Sequence, residues 1–68
     1  MKLPALTRIK ITRYLNRAEE NILMGFSTEE TPNVVGELEE AKANLEDALQ
    51  RIEECLEDCY EPNGELKP

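Results

Sequence analysis

A chain of 68 residues, 40% hydrophobic and with three aromatic side chains, can build one domain whose core is small against the entropy it must offset, so a second subunit is expected. Its net charge of -7 comes without a single histidine, and there is no CxxC pair, no glycine-rich phosphate loop and no nucleophile beside a base, so an enzyme is not expected. No window is long and apolar enough to span a membrane, and MKLPALTRIKITR meets charge before an apolar leader can form. With two cysteines and no secretory signal, a reducing, cytoplasmic location is the expectation.

From the N-terminus, Ile11, Leu15, Ala18 and Ile22 recur at steps of four and three and form one stripe, with Met24 and Phe26 extending its apolar end. The spacing predicts a helix over 4–25, with Pro4 in the first turn and Gly25 ending it in the left-handed conformation that glycine tolerates. TRIKIT, residues 7–12, is β-branched enough to read as a strand, but no other segment offers it a partner. Residues 26–31, FSTEET, are expected to be a loop.

The second half is more regular. Val34, Leu38, Ala41, Leu45, Ala48, Ile52, Cys55 and Cys59 alternate steps of four and three, which predicts a helix over 32–60. Thr31 and Pro32 suit its cap and first turn, and EPNG at 61–64 suits its stop, with 61–68 a disordered tail. Val35, Leu49 and Leu56 widen the stripe beyond what a two-stranded seam uses. The fold class is therefore all-α: an antiparallel two-helix hairpin over residues 1–60. Its leftover apolar stripe should pair it with another hairpin as a dimeric four-helix bundle, or build a higher symmetric oligomer. Val35, Leu49, Leu56, Cys55 and Cys59 are the interface candidates.

Charge is segregated along the chain. Lys2, Arg8, Lys10, Arg13 and Arg17 precede every acid, whereas residues 18–68 carry all 15 acids against Lys42, Arg51 and Lys67. In an antiparallel hairpin Lys2, Arg8 and Lys10 come near Glu53, Glu54, Glu57 and Asp58, so opposite charges on adjacent helices are one explanation. The other is an open anion site: Lys10, Arg13 and Arg17, three and four apart, share a face with Tyr14, where cations hold phosphate and a ring stacks a base. Glu37, Glu40, Asp47, Glu54 and Glu57 make an acidic surface for a protein partner, including one whose basic cleft takes carboxylates in place of nucleic acid.

Cys55 and Cys59 fill the last two seam positions, where a small apolar side chain is wanted. Four apart on a helix they do not readily meet disulfide geometry, and two thiols without histidine cannot complete a zinc tetrahedron. A dimer pooling four cysteines, or an oxidised cross-subunit bond, stays open. No resident metal or cofactor is expected.

In plan the chain is similar to the Rop family, small plasmid-encoded hairpins that dimerise into four-helix bundles and hold RNA loops on a basic face. RAEENIL at 17–23 and LEEAKANLEDA at 38–48 also resemble the helical hairpins of phage proteins that sequester cyclic oligonucleotide signals, without the aromatic-rich second helix of those proteins. These resemblances imply a paired hairpin and an RNA or nucleotide ligand. The residues themselves favour a non-enzymatic, acidic, self-associating helical protein that regulates or inhibits a protein partner, with an origin in a phage or mobile element. A binder of an anionic ligand, nucleotide signal or RNA, through helix 1 is the alternative, and a purely structural assembly module is another.

Overall fold

The computed structural model describes residues 2–68. It is an all-α helical hairpin: α1 over Ala5–Ser27 and α2 over Thr31–Asp58 run antiparallel along each other, joined by three residues.

The line of closest approach is made of the smallest side chains. Ala18, Ala41 and Ala48 are 1%, 3% and 2% exposed, and with Gly25 they complete the fully buried set among the described residues. Ala18 and Gly25 are one heptad apart on α1, as Ala41 and Ala48 are on α2, so each helix presents a shallow rail to the other. Gly25 does not end α1. It stays helical inside it, and an added Cβ would lie 3.4 Å from the Cβ of Glu37 and 3.5 Å from Cδ2 of Leu38, ordinary contact that leaves no space for a longer side chain. The left-handed helix end expected at Gly25 does not form; Gly64 alone among the described residues takes a positive φ, at 87°.

Because Gly25 does not stop the helix, the expected loop of 26–31 contracts to 28–30. The backbone N–H of Glu30 donates to Oγ1 of Thr28 at 3.3 Å, and Glu30 occupies the cap position expected of Thr31. The Glu30 carbonyl accepts the N–H groups of Asn33 and Val34 at 2.9 and 3.0 Å, while its carboxylate accepts the Asn33 side-chain amide at 3.0 Å. Thr31 and Pro32 thus form the first turn itself, where proline lacks only an N–H that the helix would leave unused.

α2 stops at Asp58, two residues short of expectation. The tail expected to be disordered folds back: the N–H of Gly64 donates to the carbonyl of Glu61 at 2.8 Å, that of Lys67 to Cys59 at 2.9 Å, and Tyr60 faces Leu66 in an antiparallel bridge. The cause is turn chemistry. Pro62 presets φ, the Asn63 side chain accepts the N–H of Glu65 at 3.0 Å, and Gly64 takes the positive φ that such a turn needs at its exit.

The whole is a single layer. Its extents are 51 × 21 × 11 Å and its radius of gyration is 16.1 Å, against about 11 Å for a compact domain of this length. No described helix is long and apolar enough to cross a membrane.

Candidate functional site

Two helices side by side leave two broad sides, and the heptads that build the central seam distribute opposite chemistry onto them. On one side α1 carries Tyr14 and Asn21, and α2 carries Glu37, Asn44 and Arg51, each seven residues from the next. The antiparallel register brings these together. Nδ2 of Asn44 donates to Oδ1 of Asn21 at 2.9 Å, and Nδ2 of Asn21 donates to Glu37 and Glu40 at 3.0 and 3.1 Å. Asn21 is half-buried here, so its amide fixes which turn of α1 faces which turn of α2; a slip of one turn would strand it.

One heptad toward the open end the same side becomes cationic. Lys10, Arg13, Tyr14 and Arg17 of α1 and Arg51 of α2 border a shallow cleft of about 180 Å³. All the anticipated ligand-binding residues therefore line one concavity, and α2 adds a fourth cation. Arg51 donates from Nη1 to Oε2 of Glu54 at 3.2 Å, and its guanidinium is held more firmly charged than a free arginine, first by that bond and then by the hydroxyl of Tyr14. No carboxylate lines the cleft, although Glu54 stands behind it.

The expected cross-helix ion pairs are absent: among the described residues no α1 cation lies within ion-pair distance of an α2 carboxylate, and Arg51–Glu54 lies within α2. The reason is angular. Lys2 and Arg8 border a cleft on a different flank, with Leu3, Ile11, Cys55 and Leu56, while Lys10 belongs to the cationic one. The segregated charge therefore makes no direct cross-helix ion pair among the described residues.

The other broad side is apolar. Leu38, Leu45, Leu49, Ile52 and Leu56 are each 40–55% exposed, and no large side chain is fully buried among the described residues. Ile22, Leu38, Leu45 and Leu49 line one groove of about 360 Å³. Toward the open end it gives way to a larger cleft of about 540 Å³, bordered by Leu3, Pro4, Ile11, Ile52 and Leu56 and by both cysteines. Cys55 and Cys59 are free thiols, half-buried at its wall. Of the interface candidates, Leu49, Leu56, Cys55 and Cys59 border these two hollows, and Val35 is exposed near the start of α2. Among the described residues no three of Cys, Asp and Glu gather as a metal would require.

Arg51 and the Asn21–Asn44 pair were not singled out from the sequence. The signal was present as a second, polar heptad beside the apolar one, at 37, 44 and 51. No protein-family model, curated protein or solved structure matches this chain.

Proposed function

We propose that this chain is a non-enzymatic binding protein. Two copies bury their apolar sides against each other as a four-helix bundle, and the paired hairpins act on a protein partner, as a regulator or inhibitor, through their outward acidic surface. The observation that carries the reading is the uncovered row Leu38, Leu45, Leu49, Ile52 and Leu56 beside a core of three alanines and a glycine. Domains are stable with two packed layers, and this chain supplies one. A second copy is the occupant that completes it with the same surface, since a twofold axis places each apolar side on its equal. Covering a half-exposed leucine gains about 1 kcal/mol, and the row is repeated on both copies.

The sides turned outward then carry Glu37, Glu40, Asp47 and Glu54, in a chain of net charge -7. They suit a partner with a basic surface, met in a reducing cytoplasm where Cys55 and Cys59 remain thiols.

Two measurements test the two halves. Thermal unfolding followed by circular dichroism should shift to higher temperature as protein concentration rises, because mass action stabilises a paired state. A midpoint independent of concentration contradicts the pairing. Capture of a partner through the acidic side should weaken between about 0.1 and 1 M salt, as the screening length falls from about 10 to 3 Å, and salt-independent capture contradicts that route.

A further inference from the structure

We infer that the cleft formed by Lys10, Arg13, Tyr14, Arg17 and Arg51 is a binding site for a phosphate group, free or carried as a monoester. This goes beyond the pairing and partner reading, and it does not depend on it.

The first ground is electrostatic. Lys10, Arg13 and Arg17 stand three and four residues apart on one helix, a spacing at which like charges repel. No acid lines the cleft in a chain that has 15, and the residue that α2 contributes to it is Arg51, whose partner Glu54 lies outside the lining. Lys10, Arg13 and Arg17 thus have no ion-pair partner among the described side chains, and an external anion would supply one.

The second ground is placement. Arg51 is a surface arginine with neighbours on two sides. One nitrogen of its guanidinium donates to Glu54 at 3.2 Å, and Tyr14 of the opposite helix borders the same hollow, so the fork has a partner on its own helix and a ring across the cleft. Asn44, one heptad away on α2, is bonded to Asn21 on α1, which fixes the register that carries Arg51 to Tyr14. The cations come from both helices around one hollow, the geometry that lets several donors reach the oxygens of a single tetrahedral group.

The third ground is size. About 180 Å³ is less than the few hundred Å³ of a pocket that engulfs a whole drug-sized molecule. A phosphate and its ester oxygen fit, with the rest of any carrier left outside the cleft. Because the cleft opens on the side away from the apolar row, it remains accessible when that row is covered.

The test is isothermal titration calorimetry on the full chain at low salt, with 5′-adenosine monophosphate, inorganic phosphate, adenosine and a short single-stranded oligonucleotide as separate probes. The inference expects heat from adenosine monophosphate and from phosphate, and none from adenosine. Arg17→Gln and Arg51→Gln should each weaken the monophosphate about tenfold, the loss of one charge-assisted bond. Lys42→Gln, which borders the apolar groove, should change nothing. If Arg51→Gln loses helical signal, Arg13→Gln, fully on the surface, replaces it with the same expected loss. Four results overturn the site: no heat from either phosphate probe, equal binding of adenosine, equal weakening by Lys42→Gln, or binding of the oligonucleotide alone. Light scattering on the same samples keeps this outcome separate from that of the pairing.

Discussion

The two broad sides of the hairpin draw on neighbouring seven-residue repeats, yet they end in opposite states. On the polar side, Asn21, Asn44, Glu37 and Glu40 satisfy one another within the chain, so that stretch beside the cationic cleft is finished by folding. On the apolar side, Leu38, Leu45, Leu49, Ile52 and Leu56 reach only half burial, because the small seam of Ala18, Gly25, Ala41 and Ala48 draws the helices together and leaves the large side chains at the rim. Close approach and a large core are alternatives in a two-helix layer. A chain that chooses the first must find its apolar burial elsewhere.

The comparison can be broken most severely on its apolar side. Replacing Leu45 and Leu49 together by lysine should abolish pairing and cost about 3 kcal/mol or more in urea unfolding, since both lie on the groove that a second copy would cover. The seam comes next. Gly25→Leu places a side chain where even a Cβ meets Glu37 and Leu38, and should cost about 2 kcal/mol. On the polar side Asn21→Ala removes three hydrogen bonds and frees two carboxylates, for about 1–2 kcal/mol and no change in assembly mass. The smallest effect belongs to Arg51→Gln, whose ion pair is on the surface; it should leave the unfolding midpoint in place while weakening phosphate binding about tenfold.

Most of the architecture was readable because one signal repeats. The alternating steps of four and three from Val34 to Cys59 and from Ile11 to Ile22 allow only helices of one face, and the short connection makes them antiparallel. What escaped were positions where one residue type serves two purposes. Gly25 reads equally as a helix end and as a close contact, and only the opposing Leu38 decides. EPNG reads as a helix stop, but its Pro-Asn-Gly order also prescribes the turn that ties Lys67 back to Cys59. The candidate ligand residues Lys10, Arg13, Tyr14 and Arg17 were visible from spacing within α1, whereas Arg51 depended on the register between helices, which the half-buried Asn21 sets.

The central claim is that one layer is half of the working unit, and sedimentation equilibrium under reducing conditions at micromolar concentration tests it most directly. The account predicts a mass of about twice 7.8 kDa that falls to the single-chain value when Leu45 and Leu49 become lysine. A fully helical species of 7.8 kDa throughout that range would contradict it.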